Sequence, residues 1–174
     1  MSSFFCALDR SLNRFYAVCG IIAACFLVLL GILILLSIFT RLMGVYVPGL
    51  NAYSGYAMAA SSYLALAYTF REGGHIRVVM LRNAMSGRPR YLLEVWCLAI
   101  ASFFACYMAW FLIRMTWFSY EFEEKSEGAD ATLLWMPQSL MAFGAAVMAL
   151  TVVHALIKTL VTGTPDLTES AQVD

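Results

Sequence analysis

Charge is scarce in this 174-residue chain: Asp, Glu, Lys and Arg make up 13% of it, 11 basic against 11 acidic, for a formal net charge of +0. That balance excludes the basic footprint of a nucleic-acid binder and a polybasic anchoring tail. There is no glycine-rich phosphate loop, no His-Glu-x-x-His arrangement and no carboxylate pair inside an apolar stretch, so none of the reactions that such motifs serve is indicated. The chain reads as a non-enzyme with no cofactor. Its five cysteines, Cys6, Cys19, Cys25, Cys97 and Cys106, are odd in number and form no C-x-x-C pair. This excludes a membrane thiol oxidoreductase and leaves them as small hydrophobes, expected to be buried.

What is abundant is apolar surface. Hydrophobic residues make up 62% of the chain and the mean hydropathy is +0.78. A soluble domain is nearer half apolar and a quarter charged, and one of this length leaves much of its surface in water. The solvent must therefore be a lipid bilayer. Uncharged runs cover 15–40, 42–70, 95–113 and 131–157. Each reaches the ~20 residues that a helix rising 1.5 Å per residue needs to cross ~30 Å of hydrocarbon.

The second run is longer than one span, but Pro48-Gly49 interrupts it and Asn51 offers an N-cap for the helix that follows. Pro137 suits a first helical turn, where its missing N–H has no partner to lose. The expected fold is all-α: one membrane domain over 1–174 with four transmembrane helices at about 15–40, 50–70, 91–117 and 135–160. Two shorter stretches read as in-plane. Over 4–16, Phe5, Leu8, Leu12, Phe15 and Tyr16 share a helical face opposite Asp9, Arg10, Asn13 and Arg14, the pattern of an interfacial helix. A second is expected over 76–85.

Orientation follows from Lys and Arg in short loops. Arg10, Arg14, Arg71, Arg77, Arg82, Arg88, Arg90 and Lys158 fall on the side of both termini, against Arg41, Arg114 and Lys125 on the other. Both termini are therefore expected in the cytoplasm, with Arg10, Arg14, Arg82 and Arg88 placed to meet lipid headgroups. The second outer loop is acidic, with Glu121, Glu123, Glu124, Glu127 and Asp130 against one lysine. Nothing titratable stands at mid-depth in any span, whereas a chain that moved ions by itself should place such a group there. The second span carries Tyr53, Ser54, Tyr56, Ser61, Ser62, Tyr63 and Tyr68. Hydroxyls among small residues favour helix packing in lipid over a pore lining.

Arg71-Glu72-Gly73-Gly74-His75-Ile76-Arg77-Val78, leaving the second span into the cytoplasm, resembles the signature of the small DctQ-type membrane subunit of tripartite ATP-independent periplasmic (TRAP) transporters. Arg41 closing the first span, the acidic outer loop and Trp135-Met136-Pro137-Gln138 opening the last one fit the same pattern. The pattern's acidic residues at the outer start of the second span and after the His-Ile-Arg-Val stretch are replaced here, by Asn51, Tyr53 and Ser54 and by Val79.

The resemblance implies a bacterial inner-membrane complex in which a large elevator-type subunit carries the coupling ion, expected to be sodium, and an organic anion such as a carboxylate. A periplasmic substrate-binding protein delivers that anion, and this chain is a fixed scaffold. The expected contacts with the large subunit are Arg41, Tyr53, Tyr56, Ser61, Tyr63, Arg71, His75, Arg77 and Trp135, and those with the binding protein are Glu121, Glu123 and Glu124. Two other readings are open to the residues alone: a self-contained four-helix carrier, and a haem-bearing anchor of a redox enzyme using His75 and His154.

Overall fold

The computed structural model describes residues 2–45, 47–71, 88–128 and 131–162. Within them lie four helices, α1 (Ser2–Leu42), α2 (Leu50–Arg71), α3 (Arg88–Glu121) and α4 (Trp135–Thr162). The only β pairing among the described residues is one antiparallel bridge, Lys125 to Leu133. Three segments are long and apolar enough to cross a membrane: Arg14–Leu42, Tyr91–Glu121 and Trp135–Val161. The 22-residue α2 is not among them, because its asparagine, serines and tyrosines lower its hydropathy. The expected in-plane stretch over 76–85 lies outside the described residues.

One expectation is corrected. The amphipathic segment over 4–16 is not a separate element but the beginning of α1, which runs unbroken for 41 residues. No proline or glycine stands between residue 2 and Gly20, so nothing interrupts the i to i−4 ladder there. At 1.5 Å per residue α1 is about 62 Å long, roughly twice the hydrocarbon thickness.

At the opposite end α1 stops in a glycine cap. Gly44 has φ +71°, the Gly44 N–H donates to Arg41 O at 3.2 Å and the Val45 N–H to Thr40 O at 3.0 Å. These are the paired bonds of a Schellman motif, which satisfy carbonyls orphaned at a helix end. Helix α3 ends identically without a glycine: Glu123 takes φ +47°, its N–H donates to Tyr120 O, and the Glu124 N–H donates to Ser119 O at 3.1 Å.

The helices form a layer in the order α1, α2, α4, α3. Helix α1 packs antiparallel on α2, with Gly20 beside the Tyr68 ring at one end and Ser37 donating to Asn51 Oδ1 at the other. Helix α2 runs parallel to α4. Ala67 packs near Val147, and a Cβ on Gly144 would lie 2.7 Å from the Tyr63 carbonyl, so only glycine lets these backbones approach so closely. Helices α4 and α3 are antiparallel, joined through Ala145, Ala149 and Ala109 and capped by an edge-to-face Tyr120–Trp135 pair. The edge helices α1 and α3 share no packed interface.

Both edge helices dock through a stripe of 3.5-residue period, the seam of left-handed packing. On α1 the covered positions are Leu12, Tyr16, Cys19, Ala23, Phe26, Leu30, Leu33, Ser37 and Thr40. On α3 they are Leu98, Ser102, Ala105, Ala109, Leu112, Thr116 and Ser119. Ala17, Gly20, Tyr91, Leu93, Glu94, Val95 and Ala101 beside these stripes are partly covered as well, and the other described side chains of both helices are exposed. Cys19 sits in the α1 seam, but Cys25, Cys97 and Cys106 are exposed, against the expectation that the cysteines are buried. Their positions fall off the two stripes.

Candidate functional site

The antiparallel and parallel pairings gather the α1 cap, the start of α2, the end of α3 and the start of α4 at one end of the layer. Two features form there. The first is a cleft of about 700 Å³ between the end of α1 and the start of α2, lined by Ser37, Thr40, Arg41, Gly44, Val45, Val47, Gly49 and Asn51, with Gly128 reaching it from the loop between α3 and α4. Arg41 is the one charged side chain in this lining, and it is exposed.

The second feature is the acidic loop, which is built as a short hairpin. The Leu134 N–H donates to Glu124 O at 2.9 Å and the Ser126 N–H to Thr132 O at 2.8 Å. Below them the buried Ser119 hydroxyl donates to the Glu124 carboxylate at 2.8 Å. Glu121 and Glu123, with Glu127, are exposed, and among the described residues none of these carboxylates pairs with a cation. The hairpin is tied to α2 by the Thr132 hydroxyl and the Tyr53 phenol, 3.3 Å apart. Tyr53 in turn meets Tyr56 edge-to-face. The residue pattern alone announced the charges of this loop but not the bridge, the Ser119–Glu124 bond or the reach of Gly128 into the cleft, all of which depend on long-range pairing.

Sites expected from the sequence thus separate. Arg41, Tyr53, Tyr56, Trp135 and the three glutamates cluster at this end. Ser61 is buried within the layer and Tyr63 is half-buried against Gly144 and the α3–α4 seam. Arg71 is the last residue of α2 and Arg88 the first of α3. Arg10 lies within α1 and Arg14 is exposed, while His75, Arg77 and Arg82 lie outside the described residues. His154 stands on α4, half-buried.

Several helix hydroxyls are satisfied by their own helices, whereas the buried Ser102 hydroxyl has no partner among the described residues. Ser54, Ser62, Thr69, Thr116, Thr151 and Thr159 each donate to the carbonyl four residues earlier, at 2.7–2.9 Å. This local bond satisfies each hydroxyl's donor without a partner on another helix.

The family model described as "Tripartite ATP-independent periplasmic transporters, DctQ component" matches residues 30–162, from the middle of α1 to the end of α4. The chain belongs to this family. As a DctQ component it is part of a membrane transporter and not an enzyme. It is one of three parts, beside a DctM component and a binding protein. The helices long and apolar enough to cross a membrane agree with an inner-membrane protein. No curated protein and no solved structure matches the chain.

Proposed function

We propose that this DctQ component is the stationary scaffold of a secondary, sodium-gradient-driven importer of an organic anion such as a carboxylate. It braces the large elevator subunit and offers the binding protein a landing surface. The observation that carries this reading is the layer itself, one helix deep, with several helix hydroxyls bonded to their own carbonyls and the exposed hairpin carboxylates and Arg41 gathered at one end. Such a chain holds a partner in place but supplies no ion site of its own.

On this reading all four helices cross the bilayer, with both termini in the cytoplasm. Helix α2 is 22 residues, about 33 Å, and lies between α1 and α4, so its depth is set by theirs. The exposed hairpin carboxylates Glu121, Glu123 and Glu124 face the periplasm and steer a basic patch on the binding protein. Arg41, Tyr53, Tyr56 and Trp135 border the large subunit at the same level, and Arg71, His75 and Arg77 do so on the cytoplasmic side. Arg10, Arg14, Arg82 and Arg88 hold anionic headgroups.

The test is reconstitution. Co-expressed with the products of adjacent reading frames, the chain is expected to co-purify with a larger membrane protein and to support anion uptake only when all three parts and a sodium gradient are present. Uptake by this chain alone in liposomes would overturn the scaffold role. Reversing Glu121, Glu123 and Glu124 to lysine should slow uptake about tenfold at low salt, with the loss shrinking as salt screens the charges. A salt-independent result would remove the hairpin from docking.

A further inference from the structure

Opposite its packed seam, α3 presents a second stripe: Trp96, Phe103, Tyr107, Trp110, Arg114 and Trp117, spaced by three, four or seven residues and all exposed. Tyr107 and Trp110 sit near the middle of the span. The midpoint of Tyr91–Glu121 falls at residue 106, so both lie within about 6 Å of it along the axis. Each carries a polar hydrogen, on the Tyr107 phenol and the Trp110 indole Nε1, that rigid ring geometry keeps from reaching the carbonyl ladder of its own helix, unlike the serines and threonines above. Neither has a hydrogen-bond partner among the described residues. A ~30 Å hydrocarbon core offers no acceptor there, and the nearer interface is about 10 Å away, beyond the reach of either side chain. Tyrosine and tryptophan that face lipid concentrate at the interfaces for this reason.

The other edge of the layer is built oppositely. The outward positions of α1, among them Ile21, Val28, Ile32 and Leu35, are exposed aliphatics, and residues 21–36 hold no side-chain nitrogen or oxygen at all. That edge is matched to acyl chains.

A second copy of this chain is the wrong occupant for the α3 stripe. Two copies related by a twofold axis along the membrane normal would set each residue against itself at the same depth. Arg114, whose guanidinium lies over the Phe118 ring at 5.4 Å, would then face Arg114 of the other copy in a low-dielectric seam.

We infer that the α3 stripe centred on Tyr107 and Trp110 is the surface on which the large membrane subunit docks, through a transmembrane helix that offers hydrogen-bond acceptors at mid-depth, while the α1 edge faces lipid. This rests on the scaffold reading and adds the face by which the scaffold is held.

The experiment places p-benzoylphenylalanine at Trp110 or at Leu35 in the full chain, co-expressed with the large subunit, and irradiates membranes. An adduct with the large subunit from position 110 and none from position 35 is the expected result. Adducts from position 35 alone, an adduct joining two copies of this chain, or no protein adduct from position 110 while the complex still co-purifies would overturn the docking face and leave the scaffold role standing. Failure of the unmodified chain to co-purify would overturn both.

A second measurement guards against local misfolding. The double variant Tyr107→Phe, Trp110→Phe keeps both positions aromatic and removes both polar hydrogens. It should retain about 10-fold less large subunit on purification, because the partner's acceptors are left unpaired away from water, whereas Leu35→Ala should retain as much as the unmodified chain. Equal retention by the two variants would overturn the proposal.

Discussion

The two middle helices and the two edge helices are made of different residues because they meet different surroundings. Helix α4 is buried on several sides through Ala142, Ala145, Val147, Ala149, Val152 and Ala155, and α2 through Ala57, Ala60, Leu64 and Ala67. Small side chains let backbones come close and replace the missing hydrophobic drive between helices in lipid with dense contact. Helices α1 and α3 each dock on the layer through one stripe and expose much of the opposite face, and there they diverge: α1 is mainly aliphatic, α3 mainly aromatic. Burial demands smallness in the middle; at the edges, what lies outside chooses the residue.

Glycine substitutions grade that difference, because each glycine meets a different neighbour. At the centre, a Cβ on Gly144 strikes the Tyr63 backbone at 2.7 Å, and main chain cannot swing aside. Gly144→Ala should cost about 3 kcal/mol, the upper part of the usual overpacking range, visible as a large fall in the thermal unfolding midpoint in detergent. An unchanged midpoint would mean that α2 and α4 are not in close contact.

At the α1 seam, a Cβ on Gly20 meets the Tyr68 ring at 3.0 Å. That ring is partly exposed and able to rotate away, so Gly20→Ala should cost about 1 kcal/mol or less by the same measurement.

The two helix caps give the next comparison. Gly44→Ala should cost about 1 kcal/mol, because a side chain resists φ +71°. Glu123→Gly should gain a similar or smaller amount by relieving the same strain at α3. Opposite signs from two identical caps are the outcome that sharpens the comparison; equal signs would show that the loops, not the caps, set stability there.

The smallest effect is expected on the outward face of α1, where a Cβ on Gly31 has nothing within 4 Å. Gly31→Ala should be neutral or stabilising by up to about 1 kcal/mol. A marked loss would reveal something packed against that edge.

Much of the architecture was legible in the residues. Charge gaps located the helices because a charged group is costly in hydrocarbon, and Pro48-Gly49 and Pro137 marked helix starts that the structure keeps near Leu50 and Trp135. The order of the helices was not legible. When nearly every position in a span is apolar, a 3.5-residue seam such as Ala23, Phe26, Leu30 and Leu33 has no polar background to stand out against. The continuity of α1 was missed for a related reason: the alternation of Phe5, Leu8 and Leu12 with Asp9 and Arg10 describes a two-sided helix without saying where its axis points. In the loop between α3 and α4 the acids were visible, but the bridge from Lys125 to Leu133 joins residues whose identities carry no pairing signal. Among the α2 hydroxyls, Ser54, Ser62 and Thr69 bond to their own helix's carbonyls, a local bond that the residue types alone could not distinguish from a contact with another helix.

An array only one helix deep has two faces and no interior. Whatever crosses the bilayer beside it has at most one wall from this chain, and the other walls must come from elsewhere. On the proposed scaffold reading, such a partition would act on transport the way a door frame acts on a door: its stiffness, to which the tight Gly144 contact contributes, would fix the reference against which a neighbour's travel is measured.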